Sequence, residues 1–173
     1  MTQFPEPMRP FIIHVKDVQE DANCGFRAVA DMLDFGEDIW AQIRCDMLQE
    51  INAYTHIYLG VYGTAEHVEE IRQSLIHLEG GAPYAKWMIM PDIRYLIASH
   101  YNVVLILLSL HQYLTFLLLR TELVPQIAHR SISVEFVNNN NFMGLVTYSV
   151  ILYFFEFNIK MAYMSSFFIC RYI

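Results

Sequence analysis

Residues 103–120 read VVLILLSLHQYLTFLLLR, and this stretch decides the fold class. Two apolar runs, 103–110 and 113–120, stand on either side of a His-Gln pair. Each run is almost continuously apolar, whereas a strand with one solvent-facing side alternates apolar and polar residues. The pattern predicts two strands around a short turn, in a sheet that other elements cover on both faces.

The segments around this stretch indicate which elements cover the sheet. The spacing of apolar residues predicts four helices, over 24–35, 38–54, within 62–81, and from Pro91 to Asn102. Three further strands are predicted, over 11–15, 131–138 and 142–150. The alternation in SISVEFV (131–137) indicates that this strand is half exposed. Helices that precede most of the strands in chain order predict an α/β or α+β layered domain.

The composition of the 173-residue chain limits its function classes. With 55% hydrophobic and 17% charged residues, it has enough apolar surface for one folded core and is not a disordered chain. The net charge of −7 argues against a nucleic-acid binder, because neutralising phosphates needs a basic face. An acidic surface suits a basic protein or peptide partner better, through electrostatic steering.

The cysteines and histidines predict neither a disulfide framework nor a metal site. Cys24, Cys45 and Cys170 show no CxxC spacing, and no histidine pair has HExxH spacing. We therefore expect no metal and no cofactor. The N-terminal MTQFPEPMRP lacks the basic and then apolar run of a signal peptide, so we expect an intracellular location, cytoplasmic or nuclear.

Two uncharged stretches raise the question of a membrane span. The first, 103–119, is interrupted by Ser109, His111 and Gln112, which favours two buried strands. The second, 142–155, is shorter than the roughly 20 residues that a spanning helix needs. A membrane partner is therefore not expected, although the aromatic-rich tail, 146–173, leaves a membrane contact open. That tail either extends the last strand and packs as an extra element, or exposes apolar surface.

The stretch DANCGFRAVADML (21–33) contains the candidate nucleophile. Cys24 begins the first predicted helix with Asn23 as its N-cap, and the N–H groups and dipole of a helix start favour a thiolate. The backbone N–H groups from Ala22 to Cys24 are candidates for receiving an oxyanion. The alternative is a structural cysteine, because free cysteines are among the most buried residues. Three other candidates are interpreted as core residues: Cys45, Trp40 and Trp87.

Three segments together resemble motifs of the OTU (ovarian tumour) family of cysteine peptidases. DANCGFRAVADML resembles the D-G-N-C-[GL]-[FY]-R-[AS] motif around that family's cysteine. YAKWMIMPDIRYLIASHYNVVLILLS (84–109) resembles its segment in which a tryptophan precedes a helix and a strand. FVNNNNFMGL (136–145) resembles its last motif, in which asparagine leads to the catalytic histidine and an aromatic residue. The resemblance is closest to OTU-like domains of plant proteins, some of them related to transposon-derived sequences.

The resemblance implies an OTU-like, papain-type cysteine peptidase fold, in which a central sheet of about four to five strands packs between helices. It divides the chain into an N-terminal lead-in (1–14), an OTU-like domain (15–145) and an atypical apolar tail (146–173). It assigns Cys24 as the nucleophile and Asp21 as the acid that helps to shape the oxyanion site. It also implies ubiquitin or a ubiquitin-like protein as the partner.

Two positions depart from the family's pattern. Ala22 stands where the motif usually has glycine, and its methyl disturbs the oxyanion loop if the backbone there needs a positive φ. Asn141 stands where the family has its catalytic histidine, directly before Phe142. An asparagine amide does not titrate near neutrality, so it can neither accept the thiol proton nor protonate the leaving amine. No other histidine matches the motif, and His129, in the loop before the last motif, is the candidate substitute.

Three functional hypotheses follow. The first is an OTU-type thiol hydrolase with impaired catalysis, which cleaves bonds at the C-terminus of ubiquitin or a ubiquitin-like modifier. The second is a pseudoenzyme with the same fold, which binds such a modifier or another protein without turnover. The third is a degenerate, transposon-related relic whose altered chain end compromises folding.

Overall fold

The computed structural model describes residues 6–78, 86–90, 92–109, 113–119, 130–137 and 141–147. Within these residues there are two short 3₁₀ helices, Glu6–Phe11 and Glu37–Ile39. The α-helices are α1 Cys24–Met32, α2 Trp40–Ala53, α3 Thr55–Tyr62, α4 Ala65–Leu75 and α5 Arg94–Tyr101. The strands are β1 Ile12–Lys16, β2 Val103–Ser109, β3 Tyr113–Phe116, β4 Arg130–Val137 and β5 Asn141–Thr147.

The strands join one mixed sheet in the order β1-β5-β4-β2-β3. β2 and β4 run parallel, whereas the β1–β5, β4–β5 and β2–β3 pairs are antiparallel. Within the described residues, five helices accompany this sheet of five strands. The mixed α/β architecture confirms the predicted fold class and the predicted number of strands.

β2 is covered on both faces, as its continuous apolar sequence predicts. Val103 and Leu105 belong to the larger core, which the helices pack against, and they are 1% and 0% exposed. Val104 and Ile106 belong to a smaller apolar cluster, which also contains Leu145 of β5. The larger core fixes α1 against the sheet, and α1 carries the cysteine that the sequence singled out.

β4 is not half exposed, so the interpretation of its alternating sequence is wrong. The strand lies between β5 and β2, and Ile132, Ser133, Val134 and Glu135 are all buried. Glu135 pairs in register with Leu108 of the smaller cluster. Because paired residues of neighbouring strands share a face, the polar side chains of β4 lie on the face of that cluster rather than in solvent.

The helices differ from the predictions mainly at their ends. α1 stops at Met32, earlier than predicted, and Asp34 just beyond it has a positive φ of 65°. The segment predicted as one helix, 38–54, is a 3₁₀ turn followed by α2, and α3 then follows directly. Thr64 caps α4 through its hydroxyl, and Asn102 ends α5 in the left-handed conformation, both as predicted.

Three residues were interpreted as core residues. Trp40 packs at the edge of the larger core and Trp87 is partly buried. Cys45 is exposed, so its interpretation as a core residue is wrong. α2 turns Ile43 and Met47 inward, and Cys45, which lies between them in sequence, falls on another face of the helix.

Of the predicted tail, 146–173, the structure describes only the first two residues. β5 includes Val146 and Thr147, so the start of the predicted tail continues the last strand. The remainder, 148–173, lies outside the described residues, and with it Cys170 and any membrane contact of the tail. Of the helices that are described, none is both long and apolar enough to cross a membrane.

Candidate active site

Cys24 is the first residue of α1, and its thiol is buried. Burial raises the pKa of this thiol, and the negative charge of Asp21 also raises it. Backbone N–H groups of Phe142, Gly25 and Cys24 itself lower that pKa, in the direction expected at a helix start. Burial is the largest of these effects and the pKa is raised overall, so the helix start alone does not make Cys24 a ready thiolate.

Three chain segments meet at the first turn of α1. A Cβ atom added to Gly25 would lie 2.8 Å from Met88 Cβ and 3.0 Å from Phe142 Cδ2. Gly25 follows Cys24, Met88 follows Trp87 of the second motif, and Phe142 belongs to the last motif. A glycine is needed at this position because any side chain would displace one of these neighbours. The structure thus brings together the three segments that the sequence singled out separately.

Asp21 shapes the loop before Cys24. Its Oδ1 accepts the backbone N–H of Asn23 at 2.7 Å. Its Oδ2 accepts Nε and Nη2 of Arg27 at 3.1 Å and 2.9 Å. Its backbone carbonyl accepts the N–H of Cys24 at 3.1 Å. Asp21 therefore fastens the loop to the helix that carries the cysteine.

The N–H groups predicted to receive an oxyanion are in part already used inside this loop. Asn23 N–H donates to the Asp21 carboxylate and Cys24 N–H to the Asp21 carbonyl. An oxyanion would compete with these acceptors for both donors. Among the described non-glycine residues, positive φ occurs only at Asp34 and Asn102. Ala22, which stands where the family motif usually has glycine, therefore needs no positive φ, and its methyl causes no backbone strain.

Arg44, on α2, is a residue of the site that the sequence analysis missed. Its side chain is fully buried, and its Nε donates to Asn23 Oδ1 at 3.0 Å. Its Nη1 and Nη2 donate to the backbone carbonyls of Ser74 at 2.8 Å and Lys86 at 2.7 Å. Asn23 is the N-cap residue by position, but its side chain binds Arg44 instead of capping α1. The one available signal was a charged residue four positions after Trp40, on the buried stripe of the helix.

Asn141 is the first residue of β5, and the N–H of the next residue, Phe142, reaches the Cys24 thiol. The backbone of the position that replaces the histidine thus lies beside the cysteine. The side chain of Asn141 is outside what the structure describes, as are Asn138–Asn140 and the candidate substitute His129.

Two of the described histidines are paired with carboxylates. His67 lies between Glu70 and Asp92, with N···O distances of 3.3 Å and 3.2 Å. His100 Nδ1 lies 3.5 Å from a Glu50 carboxylate oxygen. In the described ranges, no three His, Cys, Asp or Glu side chains are grouped so as to hold a metal ion.

No protein-family model and no curated protein sequence matches the chain. Its fold does match solved structures of OTU domains. The viral OTU domain protease from Dera Ghazi Khan virus superposes with a TM-score of 0.59 at 13% identity, over 85% of this chain and 86% of that one. The OTU domain of OTUD1 gives a TM-score of 0.54 at 15% identity, over 77% and 85% of the two chains. The Hazara virus OTU, solved bound to ubiquitin, gives 0.58 at 9% identity, over 85% and 87%. The chain therefore has the fold of OTU domains, as the sequence resemblance implied.

Proposed function

We propose that this chain is a thiol hydrolase of the OTU type that recognises ubiquitin or a ubiquitin-like modifier, with catalysis impaired by Asn141. The observation that carries the proposal is the meeting of three motif segments at Cys24, in a fold shared with OTU domain proteases. The ubiquitin-bound Hazara virus OTU supports ubiquitin as the class of partner. The motifs favour plant OTU-like domains as its relatives, and a free Cys24 thiol suits a cytoplasmic or nuclear compartment.

In the proposed reaction, the Cys24 thiolate attacks the carbonyl carbon of the modifier's C-terminal amide. A C–S bond forms, the C–N bond breaks, the departing amine takes up a proton, and water then hydrolyses the thioester. A histidine would take the thiol proton and return one to the amine, whereas an asparagine amide does neither. Loss of such acid–base help typically slows a reaction by about 10²–10⁴. Burial raises the pKa of Cys24 and thereby reduces the thiolate fraction further.

The same site favours a second candidate function, a pseudoenzyme that binds ubiquitin or another protein without turnover. Asn141 stands at the position of the base, the thiol is buried, and the Asn23 N–H is held by Asp21. All three features act against the reaction, and none of them concerns recognition of the modifier.

Hydrolysis of a fluorogenic ubiquitin C-terminal amide tests the proposal. We expect trace hydrolysis by the wild-type chain and an increase in kcat/KM of about 10²-fold or more in Asn141→His. The matched control is Asn141→Gln, which keeps an amide and is expected to stay at the wild-type rate. The double variant Asn141→His with Cys24→Ala is expected to be inactive.

Three outcomes would change the assignment. Efficient wild-type hydrolysis that Cys24→Ala abolishes would contradict the impairment. No gain in Asn141→His, together with ubiquitin binding measured by calorimetry, would select the pseudoenzyme. The absence of both hydrolysis and binding would exclude ubiquitin as the partner.

A further inference from the structure

Arg44 joins three segments that are distant in sequence. Through Nε it holds the side chain of Asn23, the residue before Cys24. Through its two terminal nitrogens it holds the backbone carbonyls of Ser74, in the last turn of α4, and of Lys86. Lys86 lies two residues before Met88, which packs against Gly25. The guanidinium therefore links the loop before the cysteine to α4 and to the segment that contacts the first turn of α1.

A buried arginine is an expensive way to stabilise a core. The guanidinium is fully buried and lies 4.0 Å from the centre of the Phe26 ring. Burial lowers the pKa of Arg44 to about 10, and the charge of Asp21 opposes this change, so the side chain stays charged near neutrality. Well-packed apolar residues often stabilise a fold as much as a buried charge or more. A geometric role accounts better for a guanidinium that satisfies three acceptors at once.

We propose that Arg44 is the positioning residue of the Cys24 loop, holding Asn23 so that the first N–H groups of α1 point at the thiol. The inference rests on the proposed function in that Cys24 is taken to be the reacting group. Arg44 does not touch a substrate in this proposal and acts only through the loop.

The causal chain runs through Asn23. Its N–H is fixed by the Asp21 carboxylate and its side-chain oxygen by Arg44, so both ends of the residue are held. The N–H groups of the next two residues, Cys24 and Gly25, are among those that lower the pKa of the thiol. Loss of Arg44 releases the side chain of Asn23, and we expect the N–H groups of Cys24 and Gly25 to turn away from the sulfur. The pKa of Cys24 would then rise.

The test is the pH dependence of Cys24 alkylation by iodoacetamide in the full chain, read for the Cys24 peptide by mass spectrometry because Cys45 is exposed. The midpoint of this profile reports the thiol pKa, and its alkaline plateau reports access to the thiol. We expect Arg44→Met to move the midpoint up by about half to one pH unit. The thiolate fraction at neutral pH then falls by about 3- to 10-fold.

Arg72→Met is the matched control. Arg72 also joins α4 to its neighbours, donating to Asn52 Oδ1 at 2.8 Å and Thr55 Oγ1 at 2.6 Å. Among the described residues, its side-chain hydrogen bonds do not reach the Cys24 loop. We expect its midpoint to equal that of the wild type. An unchanged midpoint in Arg44→Met, including the case in which only the plateau rises, would overturn the proposal. Restoration of the wild-type midpoint by Arg44→Lys would also overturn it, because lysine keeps the charge without the three fixed donors.

Asn23→Leu approaches the same link from the other side and keeps the proposal testable if Arg44→Met does not fold. It leaves both carbonyl contacts of Arg44 in place and is expected to move the midpoint by the same amount. Adding Arg44→Met to Asn23→Leu should then give no further change, since both act through one link. An unchanged midpoint in Asn23→Leu, or additive changes in the double variant, would contradict a role through Asn23.

The two proposals fail separately. If Asn141→His does not cleave ubiquitin but Arg44→Met moves the Cys24 midpoint, the proposed function is wrong and the positioning role stands. If Asn141→His is active but Arg44→Met leaves the midpoint unchanged, the proposed function stands and the positioning role of Arg44 is wrong.

Discussion

Glu135 lies in the middle of the sheet with its side chain fully buried. Neither of its carboxylate oxygens has a hydrogen-bond partner among the described residues. Burial raises its pKa from 4.5 to about 7. Between these two pH values, the folded chain keeps a proton that the unfolded chain has released. The contribution of this group to stability is therefore fully present at low pH and is lost as the pH rises towards 7.

We expect Glu135→Gln to remove this pH dependence. The two pKa values of Glu135 differ by about 2.5 pH units, which corresponds to about 3 kcal/mol of unfolding free energy. Most of it, about 2 to 3 kcal/mol, is lost between about pH 5 and about pH 8. The glutamine amide still carries the cost of an unpaired buried polar group, about 1–3 kcal/mol, but that cost is independent of pH. Relative to wild type, the variant should thus gain about 2 to 3 kcal/mol on going from the lower to the higher pH.

Urea unfolding followed by circular dichroism at the two pH values measures this gain. Comparing the difference between variant and wild type at each pH cancels the titration of every other group. Glu66→Gln, on an exposed position of α4, is the matched control and should show no such change. A Glu135→Gln effect that is equal at both pH values would refute the reasoning, because it would mean that Glu135 does not titrate between them.

Two shorter predictions concern backbone positions. Gly25→Ala should lower the unfolding free energy by about 1–3 kcal/mol because its Cβ would overlap Met88, whereas Gly60→Ala meets no atom within 4 Å and should raise it by up to about 1 kcal/mol. Equal effects of these two replacements in urea unfolding would contradict the close contact. Asn102→Ala should cost about 1 kcal/mol because Asn102 has a left-handed φ of 54°, and Asn102→Gly should not. A thermal melt of both Asn102 variants checks this, and equal losses would point to a side-chain role instead.

The sequence predicted the elements whose signal is local. β2 is almost continuously apolar and α1 has apolar residues at helical spacing, and both form nearly where expected. The prediction that β4 is half exposed was wrong because alternation with Ser131, Ser133 and Glu135 usually indicates a solvent-facing side. Its central place in the sheet depends on pairing with β2 and β5, which no local pattern encodes.

The sequence predicted Cys24 as the centre of the candidate site, but it did not predict Arg44, which holds the loop before Cys24 in place. Motif resemblance singled out Cys24, Asp21 and Asn141, because each stands within a short recognisable stretch. Arg44 reaches acceptors 21, 30 and 42 residues away, so its role exists only once the chain is folded. The raised pKa of Cys24 likewise follows from burial. The position of Cys24 at the start of a helix, taken alone, predicted a lowered pKa.

β5 comes last among the described strands in sequence, yet it lies between β1 and β4 in the sheet. During synthesis, β1 therefore has no strand partner until β5 has left the ribosome. β5 also brings the Phe142 N–H to Cys24, so the thiol cannot acquire that donor before β5 has been synthesised. A nascent chain interrupted before Asn141 would present two unpaired strand edges, on β1 and β4, together with an unfinished cysteine site. Such edges invite association with other chains, which makes ribosomal pausing in this region a hazard for the newly made protein.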